Sequence, residues 1–121
     1  MELNEYQKRA MDTCMESSKN FTYMTYGLMA EVGEIADKVA KWKRKGIARI
    51  DSDYLVFNTS DEAVAREHLT ELMREVGDVM WFISGICSVC GYGLQDVADM
   101  NLDKLHSRQE RGVIDGSGDN R

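Results

Sequence analysis

The sequence predicts an all-α protein, a four-helix, bundle-like arrangement. None of the 121 residues is proline, the commonest breaker of a helix. Apolar residues recur every three or four positions through most of the chain, so each stretch can bury one face. Glycine or short polar clusters stand where those stripes stop, which gives each helix an end.

The first helix is expected from about Leu3 to Ser18, with Leu3, Tyr6, Ala10, Met11 and Cys14 as its apolar stripe. Ser17, Ser18 and Asn20 then break the chain. A second helix follows from about Thr22 to Lys45, burying Leu28, Val32, Ile35, Val39 and Trp42. Its last turn carries Lys41, Lys43, Arg44 and Lys45, which suit the negative end of the helix dipole, and Gly46 is the cap. The β-branched and aromatic residues of 47–58 read as a short strand or a packed loop. Thr59-Ser-Asp-Glu62 matches a capping box and opens a long third helix that ends near Cys90, before Gly91. A fourth helix from about Leu94 to Ser107 presents Leu94, Val97, Ala98, Leu102 and Leu105 to the core, and a tail rich in Gly, Asp and Arg follows.

A chain of this length reads as one domain, near the size at which helical proteins gain stability by oligomerising. The net charge of −6 and the lack of a dominant basic run argue against nonspecific binding of duplex nucleic acid. No apolar stretch has the length of a bilayer span, and the opening Met-Glu-Leu-Asn-Glu has no basic or apolar leader character, so a cytoplasmic protein without membrane partners is expected. Three cysteines are too few for a disulfide framework. Cys87-Ser-Val-Cys90 has the spacing of a redox or zinc pair, but it lies late in an apolar helical run and reads as core packing.

Two acidic pairs carry the chemistry. Glu31-Val-Gly-Glu34 lies in the second helix and Glu75-Val-Gly-Asp78 in the third. A spacing of three puts both carboxylates of a pair on one helical face. At about 100° per residue, Glu31 and Glu34 fall about 60° and 120° to one side of the Leu28 stripe, and Glu75 and Asp78 fall at the same offsets from Leu72. Antiparallel packing of the helices therefore gathers like charges that need a cation between them. A set of hard oxygen donors suits Mg²⁺ or Mn²⁺. Glu71 falls in the same sector as a fifth ligand or a supporting group. Trp81 points almost opposite to the stripe, so the third helix is expected to be buried on a second side, at a subunit interface.

These motifs resemble those of the MazG-like, all-α nucleotide pyrophosphohydrolases, in which ExxE is followed by ExxD on two helices of a four-helix arrangement. The resemblance extends from about Thr25 to the C-terminus and includes Asn101-Leu-Asp-Lys104-Leu-His-Ser-Arg108-Gln-Glu-Arg111-Gly and Gly116-Ser-Gly-Asp-Asn-Arg121. It implies that Glu31, Glu34, Glu75 and Asp78 bind Mg²⁺ for hydrolysis of a nucleoside triphosphate to the monophosphate and pyrophosphate. A homodimer, or a homotetramer of two dimers, is implied as well. The connector between Glu34 and Glu75 is longer than is typical of the family. Its extra residues, about 47–65, form a flap over the nucleotide or contribute to the dimer.

The remaining substrate contacts follow from charge. Asn101, Lys104 and Arg108 share one face of the fourth helix at i, i+3, i+7 and suit phosphate oxygens, with Arg111 and Arg121 adding charge from the tail, 107–121, which is placed to cover the active site. Lys38 lies on the metal side of its helix, for a phosphate or for an ion pair with Glu34. The expected mechanism is attack of water on the α-phosphorus, with the cation neutralising the triphosphate and a carboxylate such as Glu34 or Glu75 serving catalysis by accepting the proton. Trp42, Phe82 and Tyr23 are aromatic candidates for stacking on the base, although aromatics at helical spacing more often belong to a core. A ferritin-like di-iron site would need Glu-x-x-His pairs, and neither His68 nor His106 follows a glutamate by three residues. The rival from another class is a catalytically silent helical oligomer that binds nucleotide or a protein partner for regulation.

Overall fold

A computed structural model describes residues 1–121 and holds four α-helices and one small hairpin. In chain order these are α1 (Leu3–Asp12), a 3₁₀ turn (Glu16–Ser18), α2 (Phe21–Arg44), β1 (Ala48–Asp51), β2 (Tyr54–Phe57), α3 (Glu62–Val89) and α4 (Leu94–Glu110). The all-α expectation holds, and the undecided segment 47–58 is a two-stranded antiparallel sheet with Ala48 opposite Phe57 and Asp51 opposite Tyr54. Ser52 and Asp53, both with positive φ, make the two-residue turn that such a hairpin favours.

The helix ends follow local chemistry. Asn20 caps α2 by accepting from Tyr23 N at 2.8 Å. Gly46 and Gly91 take left-handed φ values of 73° and 77°, which lets Ile47 N and Tyr92 N reach back to the carbonyls of Trp42 and Cys87 and close α2 and α3. The cap of α3 differs from the expected box. Asp61 is the N-cap and accepts from Ala63 N and Val64 N, while Thr59 Oγ1 accepts from Asp61 N one turn too early to cap the helix.

α1 stops at Asp12, six residues before the expected end. The Ala10 carbonyl, which a continuing helix would offer to Cys14 N, accepts instead from Trp81 Nε1, Thr13 N and Thr13 Oγ1, and Cys14 N turns to Met11 O. The same Trp81 bond, with a second to Thr13 Oγ1 at 2.9 Å, shows what covers the far side of α3. It is α1 of the same chain, not a subunit interface as the sequence suggested.

α2 and α3 pack antiparallel through exchanged small and large residues. A Cβ on Gly27 would lie 2.0 Å from the Phe82 ring, and one on Gly85 would lie 2.1 Å from Met24 Sδ, so each glycine is the seat of a large side chain from the other helix. Around that contact Cys14, Met24 and Phe82 form one buried cluster, with Met11, Leu28, Trp81, Ile86 and Val89 against it. A second cluster of Trp42, Ala48 and Leu72, flanked by Ile35, Val39, Ile47, Leu55 and Phe57, joins the hairpin to the other end of the helix pair. The 47–58 segment is thus built into the core.

α4 leaves α3 at 98° and rests its first turns on α1. Its N-terminus is capped from outside: Gln7 Oε1 accepts from Leu94 N at 2.7 Å, and Asn4 Oδ1 accepts from Gln95 N at 3.0 Å. Gln7 Nε2 also donates to Ser88 Oγ and Tyr92 O, which ties α1 to the elbow. Because α4 diverges, part of its expected core stripe is not buried; Val97 and Leu102 are exposed. Val32, also expected inside, is exposed, as is Ile83 of α3. No single helix is long and apolar enough to cross a membrane.

Replacing Gly85 by Val should force Met24 out of its seat and destabilise the chain by about 1–3 kcal/mol, the usual cost of overpacking a filled core. Urea denaturation followed by circular dichroism checks this.

Candidate metal centre

The register set by the glycine seats continues into the acidic motifs. Met24 opposes Gly85 and Gly27 opposes Phe82; one further turn along the pair sets Glu31 across from Asp78 and Glu34 across from Glu75. Oxygen atoms of Glu31, Glu75 and Asp78 all lie within 4.8 Å of one another. Glu31 and Glu75 are half-buried and Asp78 is exposed.

Glu34 stays outside that tight group. It is exposed and lines an adjoining cleft of about 300 Å³ together with Asp37, Lys38, Lys41, Trp42, Lys45, Ile47, His68, Glu71 and Glu75. The offset from the apolar stripe does not separate them, since Asp78, at the same offset of about 120° as Glu34, lies inside the group. Glu71, expected in the same sector, is on the cleft wall, outside the group of three.

Electrostatics mark the cluster as unbalanced. Burial, and then the neighbouring charges of Asp78, Glu75 and Glu34, hold the Glu31 carboxyl above the usual glutamate range. Burial and the Asp78 charge likewise push the Tyr6 phenol up. Tyr6 on α1 thus feels the charge of Asp78, although it is not among the residues that line the cleft. Sequence reading placed it only in the core stripe of α1, because its nearness to Asp78 depends on how α1 docks.

Lys38 is the one expected substrate contact at the site. It pairs with Glu75 at 3.6 Å, instead of with Glu34, and its ammonium lies 6.0 Å from the centre of the Trp42 ring. Lys41 pairs with Asp37 at 2.6 Å. Trp42, Phe82 and Tyr23, the stacking candidates, are engaged in packing: Trp42 and Phe82 are buried, and Tyr23 lies against Phe82 with ring centroids 5.8 Å apart.

The basic face of α4 is elsewhere. Neither Asn101, Lys104, Arg108, Arg111 nor Arg121 lines the acidic cleft. Arg108 is only 5% exposed and donates to the carbonyls of Gly118 and Asp119, with the Asp119 carboxylate at 3.4 Å and 3.8 Å from Lys104. Arg111 donates to the Arg121 carbonyl, and Arg121 donates to Val113, Gly118 and Ile114 carbonyls. The hydrogen bonds of the tail run to α4 or within the tail itself.

The cleft also holds a residue to which the sequence assigned no role. The His68 ring stacks on Phe57 at 5.5 Å and 19°, with the Trp42 ring edge-on at 5.6 Å. Its Nδ1 is sealed from solvent without a hydrogen bond, 3.9 Å from a Glu71 carboxylate oxygen. A sealed polar atom left unpaired costs about 1–3 kcal/mol, so it calls for an explanation. Cys87, by contrast, is buried with its thiol pushed up, chiefly by burial and then by Cys90, which fits core packing.

Three clustered carboxylates, one with a raised proton affinity, form a hard oxygen donor set that fits a divalent cation of the Mg²⁺ class. Comparison with known proteins agrees with that chemistry. A relative, the Gene 37 protein of Mycobacterium phage L5, is 36% identical over 128 aligned positions spanning the whole of both chains. No solved structure matches the chain. Residues 19–113 match the MazG nucleotide pyrophosphohydrolase domain. That span takes in both acidic pairs and most of the sequence, and the chain belongs to the MazG nucleotide pyrophosphohydrolase family.

Proposed function

We propose that the chain hydrolyses nucleoside triphosphates, canonical or non-canonical, between the α- and β-phosphates, releasing the monophosphate and pyrophosphate, with Mg²⁺ as cofactor and Mn²⁺ able to replace it. The observation that carries this reading is the convergence of Glu31, Glu75 and Asp78 beside an open cleft. A purely structural helix pair has no use for gathered like charge.

Glu31, Glu75 and Asp78 would hold the cation, with Glu34 at the open edge. When bound, Mg²⁺ supplies charge neutralisation for the triphosphate and lowers the pKa of nearby water. Glu34, outside the tight group, keeps lone pairs free to take a proton from the attacking water, and Glu75 serves both the metal group and the cleft wall. Lys38, held between Glu75 and the Trp42 ring, is positioned to swing to a phosphate oxygen once a cation relieves Glu75.

The working form we infer is a cytoplasmic homodimer or homotetramer. Met29 and Val32 of α2, and Met73, Met80 and Ile83 of α3, leave an apolar strip in solvent beside the site. Gly33 and Gly77 on the same stretch have open space where a Cβ would stand, so a second copy could approach closely. Asn101, Lys104, Arg108, Arg111 and Arg121 keep their phosphate role only in such an assembly, because α4 carries them away from the cleft of their own chain.

Incubation of the wild type with a panel of ribo- and deoxyribonucleoside triphosphates should release pyrophosphate only with divalent cation present. Glu75→Gln and Glu34→Gln should each lower kcat by about 10²-fold or more while remaining folded. Nucleotide binding without turnover across the panel would support the silent regulatory oligomer instead. Sedimentation should give a dimer or larger, and Met80→Glu should shift it toward monomer; a monomeric wild type sinks the assembly reading.

The raised Glu31 carboxyl has a signed consequence. The folded chain takes that proton before the unfolded chain does, so the stabilisation is present at low pH and is lost as pH rises through the raised value. Metal-free Glu31→Gln should therefore melt above the wild type at neutral pH, with the gap closing below about pH 4. Mg²⁺ should raise the Tm of the wild type much more than that of the variant, and more weakly as the pH falls.

A further inference from the structure

The cleft is lined by both Glu75 and His68, with Ile47, next to the hairpin, on its wall. Along α3 these residues are seven positions apart, about 10 Å at the helical rise, which is on the order of one nucleoside. A volume of about 300 Å³ is at the small end of ligand sites.

The charge in this cleft does not suit a polyphosphate. Glu34, Asp37, Glu71 and Glu75 outnumber Lys38, Lys41 and Lys45, and Lys38 and Lys41 are already paired with Glu75 and Asp37. At His68 the cleft is backed by aromatic rings. Phe57 and Trp42 fix the His68 plane from two sides, so its orientation is held by packing before any ligand arrives.

One polar atom of that ring is left for a ligand. Nδ1 is sealed and faces Glu71, the nearest acceptor, at 3.9 Å. That separation is beyond hydrogen-bond reach and Nδ1 is closed to solvent, so Nε2 is the ring nitrogen left to meet a ligand. Nε2 makes no hydrogen bond within the chain and is not among the sealed atoms.

We propose that His68 determines substrate specificity, its Nε2 accepting a hydrogen bond from a donor on the nucleoside, with the phosphates at Glu31, Glu75 and Asp78. Glu71 is the positioning residue, its carboxylate oxygen 3.9 Å from Nδ1 favouring a proton on that nitrogen and leaving Nε2 to accept. The assignment rests on the hydrolase reading for the identity of the ligand. The donor is an N–H of the base or an O–H of the sugar, and a site built to meet such a group discriminates strongly against ligands that lack it.

The test is equilibrium dialysis of non-hydrolysable α,β-imido nucleoside triphosphates with Mg²⁺, using pairs that differ only in the 2′-hydroxyl or only in an exocyclic amine. The proteins are the wild type, His68→Phe, His68→Gln and Glu71→Gln, each checked for folding by circular dichroism. We expect His68→Phe, which keeps the stack, to weaken binding of the favoured member of one pair by about 10-fold and to erase the preference within that pair. The other member should change by less than about 2-fold. His68→Gln, which retains an acceptor oxygen, should recover part of the preference, and Glu71→Gln should reduce it. The pair that loses its preference identifies the donor as sugar or base. An unchanged preference in His68→Phe, an equal loss for every nucleotide, or no binding by the wild type overturns the assignment. Selective binding by the wild type without hydrolysis of the parent nucleotides leaves His68 in place and removes the hydrolase reading, so the two failures are distinguishable.

Discussion

The antiparallel register of α2 and α3 is the constraint on which the site depends. Phe82 seated over Gly27 and Met24 seated over Gly85 permit one alignment, because a slip of one residue would drive a side chain into a helix backbone. At the other end Trp42, Ala48 and Leu72 lock the same pair against the hairpin. Between the two locks, Glu31 faces Asp78 and Glu34 faces Glu75. Packing energy at the ends holds together charges that would separate if left to themselves, which is how a stable scaffold supports an unstable arrangement at a functional centre.

The remaining elements stabilise this pair from outside. α1 reaches α3 through Trp81 and reaches the α3–α4 elbow through Gln7, and in docking there it brings Tyr6 to Asp78. The hairpin makes one wall of the second core and supplies Phe57 as a stacking surface for His68. The long connector between the acidic motifs is thereby both structural and part of the cleft. α4 leaves at a steep angle and spends Arg108 on its own tail.

On the proposed reading, the carboxylate group and the cleft divide the work of a nucleotide site. Hard oxygen donors gather where charge must be neutralised, while rings and a fixed imidazole stand where shape and hydrogen bonding matter. Glu75 belongs to both, and Lys38 bridges them by pairing with Glu75 over the Trp42 ring.

Helical periodicity, the absence of proline, the polar break around Asn20 and the capping Gly46 and Gly91 were enough to indicate the four helices, though not where α1 ends or which residue caps α3, since only the former depend on neighbours in the chain. The acidic pairs were legible for the same reason: a spacing of three and an offset from the apolar stripe are properties of one helix. The sequence by itself thus determined the helices, their faces and the four carboxylates. Only the tertiary structure decided that Trp81 is covered by α1, that Glu34 stands apart from the other three acids, that Tyr6 feels the charge of Asp78, that His68 lines the cleft, and that the α4 cations lie away from it. Each of those depends on docking between segments far apart in the chain. Docking is governed by side-chain volumes such as the paired glycine seats, whose partners no single-helix pattern reveals.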